Sequence, residues 1–275
     1  MRDVRQEDWL RLEQFPREGF KTVCFHALDL IAQNREYLED HLRRNGRDQQ
    51  SLDSLTDIQT AVIQLERALG EMMALLDCID QPPQLMLRGL ELCTLVQSIE
   101  SQAPRIQQSL GVELTVEYPS SPCMTLGDWA RAEEVCLQLL SNALRACDAG
   151  GKVAVRLCPD GEGWQLRVED DGCGLPKAGS DPGRNRRHFL GGVGAGLLLC
   201  QAYCAQMGWE LELSSRRPRG TQAVVRIPGI CDLEDAGPLR LAEQDPQLQE
   251  QCRYDLAQRV RQEIILLAEQ RRGLL

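Results

Sequence analysis

Glu134-Val135-Cys136-Leu137-Gln138-Leu139-Leu140-Ser141-Asn142-Ala143-Leu144-Arg145 reads as a helix with two unlike faces. Glu134, Gln138 and Asn142 fall at steps of four and Arg145 follows at a step of three, so the four polar side chains share one stripe. Leu139, Ala143 and Leu144 point elsewhere, toward a core. The same period extends both ways and predicts a helix over 129–147. A carboxamide and a guanidinium one turn apart can hold Mg²⁺ and a phosphate respectively. A solvated helix face carries the same pattern, so the segment acquires meaning only from its neighbours.

Two neighbours matter. Asp170-Asp171-Gly172-Cys173-Gly174 directly follows a strand predicted at 164–168. An aspartate at a strand end can accept a hydrogen bond from an exocyclic amine such as adenine N6, and the adjacent glycines let the backbone approach a flat base. Asp-Gly is also an ordinary turn. Gly191-Gly192-Val193-Gly194-Ala195-Gly196 opens a helix predicted at 194–207, where backbone N–H groups and the positive helix end favour phosphate. This loop does not follow a strand, as a dinucleotide fingerprint does, and the Gly-Lys-Ser/Thr of a Walker loop is absent.

Around these segments, strands are predicted at 112–118, 153–157, 164–168, 210–214 and 222–227, with Asp160-Gly161 as a turn. Several strands meet through short turns, so residues 85–228 predict an α+β sandwich, not a doubly wound sheet. Pro82-Pro83 separates this domain from residues 18–80, which read as a helical hairpin. In its second helix Leu55, Ile58, Val62, Leu65, Leu69, Met72, Leu76 and Ile79 form a heptad seam that demands a partner helix. The first helix, over 20–44, supplies Cys24, Ala27, Ile31 and Leu38; Asn45-Gly46 ends it and Ser51 caps the next. One hairpin buries too little surface, and a four-helix bundle made by two chains solves that. Residues 1–17 form a short N-terminal segment. Residues 229–275 form an extension in which Leu256, Val260, Ile264 and Leu267 recur at helical spacing, as a helix packed on the body or on a partner requires.

The composition narrows the function. Aromatic residues make up only 4%, so the core must be built from Leu, Val, Ile, Ala and Cys. A formal charge of -10 argues against nucleic acid or an anionic lipid surface as partner, and an anionic ligand would need locally placed cations or N–H groups. The 12 cysteines include no C-x-x-C pair and no Cys/His cluster, which suits small apolar residues in a reducing compartment better than a metal site. The N-terminal residues lack an apolar signal core, and the longest apolar run, 193–200, is too short to span a bilayer. A cytoplasmic location without direct membrane insertion is expected.

Taken in order, the three chemistry-bearing segments resemble the ATP-binding domain shared by histidine kinases, gyrase, the Hsp90 chaperone and MutL. Leu-Leu-Ser-Asn-Ala at 139–143 looks like the asparagine box, Asp-Asp-Gly-Cys-Gly at 170–174 like the first glycine box, and Gly192, Gly194 and Gly196 like the second. Gly220-Thr221 is similar to the closing Gly-Thr motif, and Gly127-Asp128 also fits the family. The resemblance implies ATP and Mg²⁺ as ligands. Asn142 would bind Mg²⁺, Arg145 would contact phosphate and Asp170 would meet adenine, with Gly172, Gly174, Gly192, Gly194, Gly196 and Thr221 lining the pocket. Hydrolytic members carry a glutamate where this chain has Gln138; a glutamine cannot accept a proton from water, which argues against hydrolysis by that route. Residues 175–191 correspond to the nucleotide lid, with Lys177, Arg184, Arg186, Arg187 and His188 as its basic character.

A helical hairpin before such a domain resembles the dimerisation and phosphotransfer unit of histidine kinases, with His26 as phosphoacceptor. The acidic residue usual after that histidine is Ala27 here, the Thr or Asn one turn on is Leu30, and the usual proline is Ile31. Asp29 can still touch His26 along the helix. The resemblance implies a homodimeric histidine kinase that passes phosphate to a response regulator. The alternatives are a catalytically degenerate ATP-binding scaffold or phosphotransfer adaptor, and an anti-sigma-factor-type serine kinase, against which the hairpin speaks. Only about 18 residues precede the hairpin, too few for a folded sensor domain, so the input is expected through a partner or the C-terminal extension.

Overall fold

A computed structural model of the chain describes residues 69–78, 85–175, 195–216, 218–230 and 246–272, with single helical positions between 28 and 67. His26, Asn45-Gly46, Ser51, Pro82-Pro83, the lid residues 176–191 and Gly192 and Gly194 of the second glycine box lie outside the described residues. The chain divides into two compact units, 1–83 and 84–275.

In the first unit the described residues are helical. Leu28, Leu55, Val62, Met73 and Leu76 are buried, whereas Ile31, Leu38, Ile58 and Leu65 are exposed. Of the predicted seam, Leu55, Val62 and Leu76 are thus buried and Ile58 and Leu65 exposed. Arg35–Glu39 (3.0 Å) and Arg67–Glu71 (2.8 Å) pair along the helix at i,i+4.

The second unit is a sandwich of helices on a mixed sheet. Its strands are β1 (Arg88–Glu91), β2 (Glu113–Glu117), β3 (Met124–Gly127), β4 (Lys152–Asp160), β5 (Gly163–Asp170), β6 (Glu210–Ser215) and β7 (Thr221–Ile227). Its helices are α1 (Leu92–Glu100), α2 (Ala103–Leu110), α3 (Trp129–Ala146), α4 (Ala195–Gln206) and α5 (Pro246–Arg272). The large sheet runs β2-β4-β5-β7-β6, parallel between β2 and β4 and antiparallel elsewhere; β1 and β3 form a separate antiparallel pair.

Strand alternation sorts the large sheet into two faces. Val153, Val155, Leu157, Leu166, Val168, Ala223, Val225 and Ile227 are buried on the face toward the helices. The other face carries ion pairs, among them Lys152–Glu113 (3.0 Å), Arg156–Glu169 (2.7 Å) and Arg226–Glu212 (3.1 Å). These mostly exposed pairs add little stability, but they keep that face in water. Leu95, Val96, Ile99, Ile106, Leu140, Leu144, Cys200 and Cys204 complete the core from the helical side. Burial pushes the thiols of Cys136, Cys147 and Cys204 up to about 12, so these cysteines act as protonated apolar filling.

The observed elements at 113–117, 129–146, 152–160, 163–170, 195–206, 210–215 and 221–227 match the predicted ones with small shifts of boundary. The region 85–111 carries no predicted element, because β1 is only four residues long and α1 and α2, at nine and eight residues, span too few turns for a period to stand out. The extension settles on the body. Leu256, Val260, Ile264 and Leu267 of α5 belong to the same core and pack against α1, α2 and α3. Among the described residues no helix is long and apolar enough to cross a membrane.

Candidate nucleotide-binding site

Asp170 ends β5 and is only 3% exposed. The backbone N–H groups of Gly172 (2.8 Å) and Thr221 (3.1 Å) both donate to the same oxygen, Oδ1, which fixes the carboxylate's orientation. Burial pushes its pKa above the usual aspartate range; the two amides, the Thr221 hydroxyl and the Arg216 charge oppose that rise without cancelling it. Two arginines from the β6–β7 connection hold the backbone of this turn, Arg216 donating to the Asp170 carbonyl (3.2 Å) and Arg219 to the Gly172 carbonyl (3.1 Å).

Close backbone approach explains the glycines. A Cβ on Gly172 would stand 2.3 Å from the Ala146 carbonyl oxygen at the end of α3, and the N–H of Cys173 donates to that same oxygen (3.0 Å). The first glycine box is therefore locked to the end of the asparagine helix. Gly220 has φ of +106°, and a Cβ there would lie 1.9 Å from the Asp170 carbonyl oxygen. Gly220→Ala is expected to lower unfolding free energy by roughly 2–4 kcal/mol through strain and overlap together. Gly161→Ala, at a positive φ but with open space around it, is expected to cost only about 1 kcal/mol. Urea midpoints of the two variants check the contrast.

On α3, Asp128 caps the N-terminus by accepting from the Arg131 N–H (3.3 Å). Leu139, Ala143 and Leu144 are buried, and Asn142 is exposed one turn before Ala146. Gln138 is buried and donates to Glu134 (2.8 Å), which in turn pairs with Arg259 of α5. Arg145 does not point free into solvent. Its guanidinium donates to Glu263 of α5 at 2.8 Å, with side-chain exposures of 11% and 9%, and Ser141 Oγ donates to the same carboxylate oxygen. Arg271 donates to the carbonyls of Leu144 (2.9 Å), Cys147 (2.8 Å) and Leu110, closing the ends of α3 and α2.

The structure thus brings Asp170, Gly172, Gly174 and Thr221 together beside Ala146 at the end of α3, one turn past Asn142; a Cβ on Gly174 would come within 3.3 Å of the Gly220 carbonyl oxygen. Gly196 is buried in the first turn of α4, and α4 packs against α3. Sequence reasoning missed Arg216, Arg219, Arg259 and Glu263. The first two stand in the basic run before Gly220; the last two flank the apolar stripe of α5 at i,i+4, a signal that was available. The donor set suits a magnesium nucleotide. Asn142 offers an exposed carboxamide oxygen to a hard cation, and Asp170 offers an oriented carboxylate to an amine.

Residues 127–229 match the family described as histidine kinase-, DNA gyrase B-, and HSP90-like ATPase. Among curated proteins, the chain is 36% identical over 116 residues to the sensor protein TorS of Escherichia coli K12, covering 39% of this chain and 12% of that protein. It is 30% identical over 131 residues to the sensor histidine kinase RcsC of the same organism, covering 45% of this chain and 14% of that one. The matched stretch therefore spans only a small part of these relatives. Among solved structures, the histidine kinase AdeS of Acinetobacter baumannii superposes with a TM-score of 0.52 at 16% identity, over 74% of this chain and 98% of that one. Full-length ShkA in complex with AMPPNP gives 0.53 at 18% identity, over 73% and 46%. At these identities the structural likeness speaks for the fold. The chain carries, at residues 127–229, a domain of the histidine kinase-, DNA gyrase B- and HSP90-like ATPase family.

Proposed function

We propose that this domain binds Mg-ATP and that the chain is a homodimeric, cytoplasmic sensor-histidine-kinase-like protein that phosphorylates itself on His26 and hands the phosphoryl group to an aspartate of a response regulator. The observation that carries the nucleotide reading is Asp170, a buried carboxylate whose Oδ1 takes both backbone amides so that Oδ2 has a fixed direction. Adenine presents an amine of the matching polarity. Asn142 would hold Mg²⁺, which when bound neutralises charge on the phosphates. The second glycine box, with Gly192, Gly194 and Gly196, would supply N–H groups at the start of α4.

Transfer needs little covalent assistance from the protein beyond alignment and charge neutralisation. A ring nitrogen of His26 attacks the γ-phosphorus, the bond from that phosphorus to the bridging oxygen breaks, and ADP leaves with the electron pair. Gln138 supports transfer over hydrolysis, because no carboxylate stands one turn before Asn142 to activate water, and the next one back, Glu134, is paired with Arg259. The half-exposed apolar seam of the first unit supports pairing with a second copy.

Ala27 in place of an acidic residue favours a second reading, an ATP-binding scaffold or phosphotransfer adaptor without autophosphorylation. Incubation with γ-labelled ATP separates the readings. Acid-labile label on the wild type that disappears in His26→Gln is the expected result. A nucleotide-dependent rise in melting temperature with no label points to the scaffold, and acid-stable label on an added protein points to a serine kinase.

A further inference from the structure

The contact between α3 and α5 carries charge where most of the packing around it is apolar. Leu256, Val260, Ile264 and Leu267 seat α5 in the core, yet Glu263, beside Ile264, turns its carboxylate onto the asparagine helix. There it meets Arg145 at 2.8 Å and Ser141, with little water on either partner. In such surroundings a carboxylate neutralises a guanidinium far more fully than at an open surface. Arg145 lies on the same stripe as Asn142, three residues on. A guanidinium committed to a buried carboxylate offers little attraction to a second oxyanion.

We propose that Glu263 is a positioning residue for the nucleotide site. It holds the Arg145 guanidinium against α5, and nucleoside triphosphate must take Arg145 from Glu263 to gain its charge. The inference rests on the nucleotide reading above. Two consequences follow from linkage. Whatever weakens the Glu263 contact tightens triphosphate binding, and triphosphate binding loosens that contact by the same factor. Only the pair has to open, because the apolar stripe, the Arg259–Glu134 pair and the Arg271 contacts keep α5 seated. A diphosphate, with less charge to offer Arg145, is affected less.

Calorimetric titration of the full chain with Mg-ATP and with Mg-ADP tests this. Glu263→Gln keeps the side-chain volume and an acceptor for Ser141 but removes the charge. It is expected to tighten Mg-ATP by about 3- to 10-fold and Mg-ADP by less, and a double variant with Arg145→Gln is expected to lose that gain. Arg259→Gln removes the neighbouring ion pair on the same helix and is expected to leave both affinities within about twofold of wild type. Mg-ATP affinity unchanged or weakened in a Glu263→Gln protein that still binds Mg-ADP overturns the inference while sparing the nucleotide reading. Absence of binding by both wild type and Glu263→Gln overturns the nucleotide reading and the inference with it. Should Glu263→Gln not fold, Glu263→Asp decides, because it keeps the charge but draws the carboxylate back from Arg145. It is expected to tighten Mg-ATP more than Mg-ADP, and an unchanged or weakened Mg-ATP affinity overturns the inference.

Discussion

Asp170→Asn is expected to weaken ATP binding by about 10- to 100-fold while leaving the protein at least as stable at neutral pH. The binding loss follows from one atom. Both backbone donors reach Oδ1, so an asparagine keeps its oxygen there and places its NH₂ where the carboxylate faced the base. An amine opposite an amine loses a charge-assisted hydrogen bond and leaves donors unsatisfied, together worth about 1.5–3 kcal/mol. The stability result follows from the raised pKa. Asp170 holds its proton more tightly in the folded chain than in the unfolded one, because burial disfavours its charge. Below the unfolded-state pKa there is no penalty; as pH rises through the folded-state value the penalty appears in full. Asparagine carries none. The stability difference in favour of the variant should therefore be present at neutral pH and vanish in acid. Calorimetric titration with ATP and urea melts at two pH values check both halves, and ATP affinity within twofold of wild type would remove Asp170 from the site.

Ending the chain before Pro246 is expected to abolish cooperative unfolding of the second unit. Leu256 and Val260 are fully buried and Ile264 and Leu267 nearly so, all four within the core shared with α1, α2 and α3. Removing these contacts exposes apolar surface worth on the order of 6–12 kcal/mol, as large as the whole stability of an ordinary domain. The loss of Arg271 also frees the carbonyls of Leu144 and Cys147 at the end of α3, the helix that bears Asn142. Thermal melts followed by circular dichroism should show a sloping, non-sigmoidal trace and dye binding to exposed apolar surface. A truncated chain that melts sharply within a few degrees of the intact one would mean that α5 is an accessory.

The two expectations differ in how far the sequence foretells them. Asp170 is legible from the order of residues alone, since a strand followed by Asp-Asp-Gly-Cys-Gly is local information, and the fold adds the reason for its geometry in Gly172, Thr221 and Gly220. The weight of α5 is not legible in the same way. Its apolar spacing predicts a helix, but a spacing names no partner, and the same stripe would serve a second chain equally well. Arg145 shows the limit most clearly. Its residue type and its place after Asn142 suit a phosphate, while the carboxylate that meets it comes from 118 residues further along the chain.

What the linear order of residues determined here is whatever depends on neighbours within a few positions: the periods of the helices and strands, the glycines that permit close backbone approach, and the motif order by which the ATPase domain is known. Tertiary structure alone decided which of the polar groups on the asparagine helix face water and which are spoken for, placing Asn142 outside and Arg145 against Glu263. The physical reason is range. Backbone dihedrals and side-chain spacing are set locally, whereas the energy of a charge depends on how much water surrounds it and what lies across from it. Both are fixed only when distant segments close over the same core.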